Sequence, residues 1–414
     1  MIYFYQLIFT FIFILFLPAG AVLILIRPDF RAYIHERLGI YPSHVKEIFK
    51  KSRLRCWVHA ASVGEIKLLN KIPGITGGNI VITTTTVSGR ALGKKMYPNI
   101  PVLLMPLDFI FLIKRFIRMA SVGNLIVLET ELWPAFIYAN RKNSPVLLNG
   151  RLAKDKFKIY YFLRNYFLKI FNIFSAIYPK DRRNFARFKK IGVSNNILKE
   201  PLNLKFMDSR PEIDSTDKRY RRPRQPVIVC GSTHTGEDQI LADIYKGLLS
   251  DFNELTLILS PRHLNRIDNI KSMLSEKNIK YKLWSLLAGS VPEGTAVVID
   301  SMGELSKIYS LADIAFIGGS IVPRGGHNII EAALWGVPAV SGRFVDNFQS
   351  VYNIFIQNNA VRIARNRGTL HTILSGFLRE SSLRQDIGSN GFELVKREKD
   401  KIEERLKEIS REIF

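Results

Sequence analysis

The apolar residues of this chain form one long N-terminal run and, after it, many short and regularly spaced runs. Residues 2–17 are almost continuously apolar or aromatic, residues 21–26 are apolar again, and no charged residue precedes them. A helix that crosses a bilayer needs about 20 apolar residues. The run therefore predicts a membrane anchor over residues 1–26. A cleaved signal peptide, the main alternative, would begin with basic residues, and a helix in the membrane interface is a second alternative.

The segment that follows the apolar run is basic. Between residues 27 and 55 it contains Arg31, Arg37, Lys46 and Lys50, among others. Positive charge next to an apolar span favours the cytoplasmic side and attracts anionic lipid headgroups. We therefore expect the body of the protein to lie on the cytoplasmic face of a membrane.

Short apolar runs then alternate with amphipathic stretches through the rest of the chain. The runs read as strands at residues 55–59, 79–84, 101–105, 124–128, 145–148, 227–230, 255–259, 296–299, 313–317 and 337–340. Strands that alternate with helices indicate parallel sheets covered by helices. The predicted fold class is α/β, with two similar α/β halves.

A polar, charged and proline-bearing stretch at residues 208–226 separates two such halves and reads as a linker. The predicted domains are an anchor (1–26), an N-terminal domain (27–207), the linker, a C-terminal domain (227–390) and a charged C-terminal helix (391–414). Ligands of open α/β sheets bind beyond the carboxyl ends of the strands. We expect a binding cleft between the two halves, facing those strand ends.

Residues 156–174 are aromatic and basic, with apolar positions at helical spacing. This pattern predicts an amphipathic helix, which either faces the core or contacts lipid and acyl chains.

The net charge is +24, from 60 basic and 36 acidic residues. Such an excess favours an anionic partner, either nucleic acid, an anionic bilayer or a phosphorylated substrate, although a compositional bias toward lysine would also produce it. The basic residues are spread along the chain without a nucleic-acid-binding motif, which disfavours nucleic acid. The two cysteines, Cys56 and Cys230, form no metal-binding or disulfide pattern.

Two motifs of the first half carry carboxylates. HAASVGE (59–65) consists mostly of small residues and ends in Glu65, and ETELWP (129–134) contains Glu129 and Glu131. Small residues let a backbone approach a ligand, and a carboxylate in a cleft can deprotonate a hydroxyl. The alternatives are that Glu65 only complements a helix dipole, and that Glu131 caps the helix that Pro134 starts.

Three motifs of the second half suit a phosphorylated ligand. SPRH (260–263) carries Arg262, SMGEL (301–305) has a turn at Gly303, and GGHNIIE (325–331) places glycines before Asn328 and Glu331. Arginine and a helix N-terminus both attract phosphate, and Glu331 can accept hydrogen bonds from ribose. The alternatives are an exposed basic turn, a plain helix start and a capping pair of Asn328 with Glu331.

In this order and spacing, HAASVGE, ETELWP, GSTHTGE, SPRH, SMGEL and GGHNIIEAALWG resemble the motifs of bacterial Kdo (3-deoxy-D-manno-octulosonic acid) transferases, over nearly the whole chain. The resemblance implies the GT-B fold, in which two Rossmann-like domains face each other across a cleft. It implies a metal-independent enzyme without a cofactor that transfers Kdo from CMP-Kdo to lipid A precursor at the cell inner membrane.

The resemblance also implies roles for single residues. Glu65 would be the general base, and Glu131, with Glu129 and Lys205, would stabilise the transition state. The segments that match the CMP-binding segments of the family are Pro261–Arg262, Met302–Gly303–Glu304 and Asn328–Ile329–Ile330–Glu331. Attack on the face opposite the leaving CMP would invert the anomeric centre. Arg262 and the helix N-termini near Gly231 and Gly326 would offset the charge on the leaving phosphate.

The chain departs from the family pattern at two places. Leu202 stands before Asn203 where the family has glycine, and Arg343–Phe344 follow Gly342 where the family has Pro-His. The rival hypotheses are another GT-B transferase that uses a UDP-sugar and a membrane lipid acceptor, and a nucleotide-sugar isomerase, which would need no anchor.

Overall fold

The computed structural model describes residues 2–26, 28–51, 54–77 and 79–413. Residue 27, at which the predicted basic segment starts, lies outside them. The chain divides into two compact units, unit 1 with residues 1–207 and 402–414, and unit 2 with residues 208–401. Each unit contains a parallel α/β sheet, as the alternation of strands and helices predicted.

The N-terminal apolar run forms helix α1 (Ile2–Ile26), which is followed by α2 (Pro28–Arg37) and α3 (Ser43–Lys51). The rings of Phe9 and Phe13 pack edge-on against Phe109, and the Gln6 side-chain amide donates to the Asp108 carbonyl (2.8 Å). In the described part of the chain, no helix is long and apolar enough to cross a bilayer. The predicted anchor is therefore not confirmed as a membrane span.

The sheet of unit 1 has the strand order β3-β2-β1-β4-β5-β6 within the described residues. Its strands are β1 (Cys56–His59), β2 (Ile80–Thr84), β3 (Val102–Leu104), β4 (Asn124–Leu128), β5 (Val146–Gly150) and β6 (Ala176–Pro179). The first five are buried along almost their whole length, because helices cover both faces of a parallel sheet. The strand order reverses direction between β1 and β4, which makes this position the topological switch point.

The further helices of unit 1 are α4 (Val63–Leu69), α5 (Val87–Met96), α6 (Ile110–Ala120), α7 (Pro134–Ala139), α8 (Phe157–Phe162), α9 (Arg164–Phe171) and α10 (Arg182–Ile191). The single amphipathic helix predicted over residues 156–174 is thus two helices, with Leu163 between them. In α8 no residue is buried, whereas α9 buries Ile170 and Phe171 in the core. Phe157 and Tyr160 of α8 also pack against the core cluster of unit 1, so both helices contact the core, and contact of this segment with lipid stays a prediction.

The sheet of unit 2 has the order β13-β12-β11-β7-β8-β10-β9 within the described residues. Its strands are β7 (Val227–Thr233), β8 (Thr256–Pro261), β9 (Tyr281–Leu283), β10 (Ala296–Val298), β11 (Ile314–Ile317), β12 (Ala339–Gly342) and β13 (Val361–Ala364). Here β7 lies between β8 and β11, so the switch point is at the carboxyl ends of β7 and β11.

The helices of this unit are α11 (Glu237–Leu248), α12 (Ile267–Glu276), α13 (Leu305–Ile308), α14 (Ile330–Ala333), α15 (Gln349–Gln357), α16 (Arg367–Arg379) and most of α17 (Ser381–Ile413). The C-terminal helix begins ten residues earlier than its predicted start at 391, and its residues from 402 belong to unit 1. There the Asn124 side-chain amide donates to the carbonyl of Ile413 (2.7 Å). The two cysteines are buried and unbridged, Cys56 in β1 and Cys230 in β7.

Candidate active site

The two carboxylate motifs of unit 1 meet at its switch point. HAASVGE follows β1 and ETELWP follows β4, and these strands pair in parallel, with His59 opposite Val127. Because both strands run in the same direction, their carboxyl ends lie side by side at one edge of the sheet. The sheet order thus brings Glu65 near Glu129 and Glu131, which the sequence separates by more than sixty positions.

Glu65 lies in the first turn of α4 and is buried, with 8% of its surface exposed. One carboxylate oxygen accepts the Ala61 backbone N–H (2.7 Å) and the other accepts the Ser62 hydroxyl (3.0 Å). These bonds fix the carboxylate against the start of its own helix, as the helix-dipole alternative predicted. They do not exclude a role as base, because each carboxylate oxygen has a second lone pair.

The surroundings of Glu65 favour its protonated form. Burial raises its pKa from 4.5 to about 7, and the negative charges of Glu129 and Glu131 add to the rise, against the hydrogen bond from Ala61. A carboxyl group of this kind is half ionised near neutral pH and can both take up and release a proton there. Paired carboxylates with displaced pKa values are typical of catalytic sites, although ion-pair networks can displace them too.

Glu131 is half-buried and accepts a hydrogen bond from the indole N–H of Trp133 (2.8 Å). It does not cap α7, since Trp133 occupies the N-cap position and Pro134 is the first helical residue. The capping alternative for Glu131 is therefore wrong. Burial raises the pKa of Glu131, and the charge of Glu129 raises it further.

Glu129 has a left-handed backbone conformation, with φ of 55°. This conformation is uncommon outside glycine and is often found at functional sites, where surrounding structure must hold it. The Glu129 N–H donates to the carbonyl of Leu148 (2.9 Å), which fixes the turn to β5. The strained turn directs ETELWP away from the sheet at the point where it meets HAASVGE.

Sequence reasoning missed two further groups of unit 1. Lys180 follows β6, and burial lowers its pKa, while the charge of Glu129 acts in the opposite direction. His59 is fully buried at the end of β1, where its Nδ1 lies 2.9 Å from the Thr83 hydroxyl, and burial lowers its pKa to about 3. The leading histidine of HAASVGE was a sequence signal for the second group, but Lys180 lies in no motif.

Lys205 lies in a short 3-10 turn, Leu204–Met207, in unit 1. Its backbone N–H donates to the side-chain oxygen of Asn203 (3.2 Å), and Lys71, which follows α4, donates to the Leu204 carbonyl (3.2 Å). The turn is therefore attached to the helix that carries Glu65. The catalytic role of Lys205 stays a prediction.

In unit 2, glycines let two loops pack closely at the ends of β7 and β11. A side chain at Gly318 would place its Cβ 2.4 Å from the carbonyl oxygen of Ser232, and the Gly318 N–H donates to the carbonyl of Gly231 (2.8 Å). The buried carboxylate of Glu237, from the GSTHTGE motif, accepts the N–H groups of His234 (3.0 Å) and of the three residues 319–321 (2.6–3.0 Å). Glu237 thus fixes the loop after β11, a role that the sequence did not predict.

The helix N-termini near Gly231 and Gly326 were predicted to offset the charge on the leaving phosphate. The first turn of α11 carries two carboxylates, Glu237 and Asp238. The Gly326 N–H donates to the carbonyl of Gly319 (2.8 Å), and α14 is only one turn long. The role of these helix ends toward a phosphate stays a prediction, and cationic side chains are the other groups that could offset its charge.

The side chains available for that purpose are basic and lie around the same loops. Pro261 ends β8, and the N–H of the exposed Arg262 donates to the carbonyl of Thr233 (3.0 Å). The rings of His234 and His327 stack, with their Nε2 atoms 2.9 Å apart. Burial lowers the pKa of both histidines, that of His327 to about 4. At neutral pH the pair is therefore uncharged, one ring nitrogen donating and the other accepting.

In the segment Asn328–Glu331, Ile329 and not Asn328 occupies the N-cap position of α14, and no side chain caps this helix, so the capping alternative is wrong. The Asn328 amide donates to the Glu331 carboxylate (3.0 Å), and its oxygen accepts the Ile330 N–H (3.3 Å). Ile329 and Ile330 are fully buried. Only the two polar side chains of this segment are thus placed to contact a ligand.

Met302 and Gly303 are exposed in a turn after β10, where Gly303 has φ of +87° and open surroundings. The next residue, Glu304, accepts a hydrogen bond from the hydroxyl of Tyr220, whose ring packs against Trp284. The Glu304 carboxylate is therefore held in place, while the Met302 side chain and the Gly303 backbone are exposed to solvent. Across the described residues, no cluster of His, Cys, Asp and Glu has an arrangement that could hold a metal ion.

Comparison with known proteins agrees with this fold and site. The family model described as 3-deoxy-D-manno-octulosonic-acid transferase (kdotransferase) matches residues 32–208. The 3-deoxy-D-manno-octulosonic acid transferase of Haemophilus influenzae is 29% identical over 391 residues, which cover 89% of this chain and 88% of that protein. A bifunctional glycosyltransferase/methyltransferase of Fusobacterium nucleatum is 30% identical over 78% of this chain, and the chain spans only 51% of its length.

A crystal structure of a glycosyltransferase from Rickettsia africae has a TM-score of 0.58, with 13% identity, over 87% of this chain and 99% of that one. This likeness, with two parallel α/β sheets, shows a GT-B-like fold. The family model and the Haemophilus influenzae relative identify the chain as a glycosyltransferase that is similar to the Kdo transferases over most of its length.

Proposed function

We propose that this enzyme transfers Kdo from CMP-Kdo to lipid A precursor, with Glu65 as the general base. The observation that carries the proposal is the buried Glu65 carboxyl group at the switch point of unit 1, with a pKa raised to about 7. The Haemophilus influenzae relative is a Kdo transferase, and the donor and the lipid acceptor come from the family resemblance of the motifs.

In the proposed reaction, the ionised Glu65 takes the proton of a sugar hydroxyl on the acceptor. The hydroxyl oxygen forms a bond to the anomeric carbon of Kdo while the bond from that carbon to the CMP phosphate oxygen breaks. The electron pair of the broken bond leaves on the phosphate, and attack from the opposite face inverts the anomeric centre. Glu131, Glu129 and Lys205 would stabilise the cationic sugar and orient the reacting groups.

The residues proposed to bind the donor lie in unit 2. Arg262 would contact the phosphate, since an arginine binds a phosphate in bidentate fashion. Met302, Gly303 and Glu304 would contact the base of CMP. Asn328 and Glu331 would contact the ribose, with Pro261, Ile329 and Ile330 shaping the backbone around them. We propose that no metal ion or cofactor takes part.

The test is an assay of the full chain with CMP-Kdo and tetraacylated lipid A precursor, with products weighed by mass spectrometry. Glu65→Gln removes the base without changing the shape of the side chain, and Glu47→Gln, on the exposed side of α3, is the matched control. We expect Glu65→Gln to lower kcat by about 10²- to 10⁴-fold and Glu47→Gln to have no effect. Unchanged turnover by Glu65→Gln would exclude it as the base, and transfer from a UDP-sugar but not from CMP-Kdo would favour the rival transferase.

We further propose that α1 attaches the enzyme to the cytoplasmic face of the inner membrane. Large apolar side chains of α1 are exposed, among them Tyr3 (79%), Leu7 (70%) and Phe11 (70%). Such a surface is costly in water and is typical of contact with a membrane. Flotation with vesicles that contain anionic phospholipid tests the proposal, because Leu7→Ser/Phe11→Ser should leave the protein in the soluble fraction while the wild type floats.

A further inference from the structure

Unit 1 contains a cavity of about 630 Å³ between its N-terminal helices and the segment that follows β3. On one side lie Phe9 and Phe13 of α1, and on the other lie Ile34 and Leu38 from α2 and the turn after it. The volume is in the range of roughly 300–1,000 Å³ that is usual for small-molecule pockets. None of the motifs that carry the proposed chemistry explains why the fold leaves this space.

The two charged side chains of the cavity wall are already bonded within the protein, whereas the buried hydroxyl of Thr85 has no hydrogen-bond partner among the described residues. Arg37 donates to the backbone carbonyls of Met105 (3.0 Å) and Thr85 (2.7 Å). The Asp108 carboxylate accepts from the hydroxyl of Tyr5 (2.8 Å) and from two backbone N–H groups at the start of α7 (2.7 and 3.0 Å). A polar ligand needs convergent groups that it can bond, whereas this wall offers mainly apolar surface. The chemistry of the cavity therefore suits a hydrocarbon chain.

One end of the cavity opens onto apolar surface. Phe16 and Leu17 line it, yet 65% and 51% of their surfaces are exposed. The mouth therefore continues into the exposed apolar side of α1, so that an acyl chain could enter without leaving an apolar environment.

The other end is joined to the carboxylate cluster by direct hydrogen bonds. Trp133 lines the cavity, and its indole N–H donates to Glu131 (2.8 Å). Thr85 also lines it, and its backbone N–H donates to the carbonyl of Ala61 (3.0 Å), the residue whose own N–H donates to Glu65. A chain that fills the cavity is thus separated from Glu131 by Trp133 alone, and from Glu65 by two residues, Thr85 and Ala61.

We propose that this cavity binds a fatty acyl chain of the lipid acceptor and so brings the sugar hydroxyl of that acceptor to Glu65. The inference rests on the proposed transfer to an acylated acceptor and adds the site that recognises its lipid part. The cavity wall thereby makes acylation of the acceptor a determinant of specificity.

The test compares the tetraacylated acceptor with its fully deacylated sugar, in the full chain. Leu38→Trp fills part of the cavity, and Ile48→Trp, on the exposed side of α3 and outside the cavity, is the matched control. We expect the ratio of kcat/KM for the acylated over the deacylated acceptor to fall about tenfold in Leu38→Trp, mainly through KM, and to stay unchanged in Ile48→Trp. An unchanged ratio in a folded Leu38→Trp protein, or a wild type that uses both acceptors equally well, would overturn the inference.

A second measurement uses the wild type and does not depend on a folded variant. An acceptor with a photoreactive diazirine at the end of an acyl chain is irradiated with the protein, and the labelled peptides are mapped by mass spectrometry. We expect the label on residues 9–17, 33–38 and 105–108. The assignment would be contradicted by label that is confined to the outer side of α1, or by label that a membrane phospholipid displaces equally well. Failure of the wild type to transfer Kdo to any acceptor would refute the proposed function, whereas the labelling pattern would still report on the cavity.

Discussion

Replacement of Glu129 by glutamine should keep the candidate base, Glu65, ionised and therefore active at lower pH. Glu65 has a pKa of about 7 instead of 4.5, mainly because it is buried and to a smaller extent because Glu129 and Glu131 are negatively charged nearby. The base acts when it is ionised, so kcat/KM should fall tenfold for each pH unit below about 7. Removal of one negative charge lowers the pKa of Glu65 and moves this acid limb to lower pH. Since burial remains, we expect a movement of roughly 0.5–1 pH unit rather than a return to 4.5.

The assay is the pH dependence of kcat/KM between pH 5 and 9, with CMP-Kdo and the lipid acceptor. Glu129→Asp is the matched control, because aspartate keeps the charge and tolerates the left-handed backbone conformation of this position. Its acid limb should stay close to that of the wild type even if its rate is lower. An acid limb that is unmoved in Glu129→Gln, or that moves to higher pH, would refute the electrostatic coupling of these carboxylates.

Four further results are expected. Because the folded state raises the pKa of Glu65 above 4.5, ionisation of Glu65 destabilises the fold as the pH rises to about 7. In urea unfolding above that pH, Glu65→Gln should therefore be more stable than the wild type by up to about 3 kcal/mol, and this difference should disappear in acid. Glu237→Ala leaves four backbone N–H groups without their acceptor, so it should cost about 3 kcal/mol or more in the same measurement. Gly318→Ala, whose Cβ would lie 2.4 Å from a backbone oxygen, should destabilise the protein, whereas Gly376→Ala, with open surroundings in α16, should be neutral or stabilising by up to about 1 kcal/mol. Arg262→Ala should weaken CMP binding by about 10- to 100-fold in calorimetry, if the exposed guanidinium meets the phosphate.

The sequence predicts most strand positions and the α/β class because buried parallel strands are short, apolar and regularly spaced. It could not predict the strand order, which depends on contacts between residues far apart in the chain. For this reason the meeting of Glu65 with Glu131 follows from the pairing of β1 with β4, and from neither motif alone. The break at Leu163 in the predicted helix 156–174 was also invisible, since the apolar periodicity continues through it.

Function is harder to predict from residue types that serve two purposes. Glycines at 325–326 permit close approach of a ligand, but they equally permit close approach of the protein to itself. A Cβ at Gly325 would lie 2.4 Å from the side chain of Asn347, and the Gly326 N–H is bonded to Gly319. Two glycines before a helix are therefore compatible with a packed turn as well as with a phosphate site.

In unit 2, a carboxylate of the protein itself holds the loop after β11. Glu237 brings a negative charge into the nest of amides that an anion would otherwise occupy, so the loop is fixed before any donor binds. In the proposed donor site, the exposed Arg262 would neutralise the phosphate, while the uncharged His234–His327 pair would supply a hydrogen-bond donor without a net charge. The backbone of this region is thus fixed within the protein, and the groups that would adjust to a ligand are side chains. Such a separation suits a leaving group whose charge increases during the reaction, because an arginine can approach it as the charge develops.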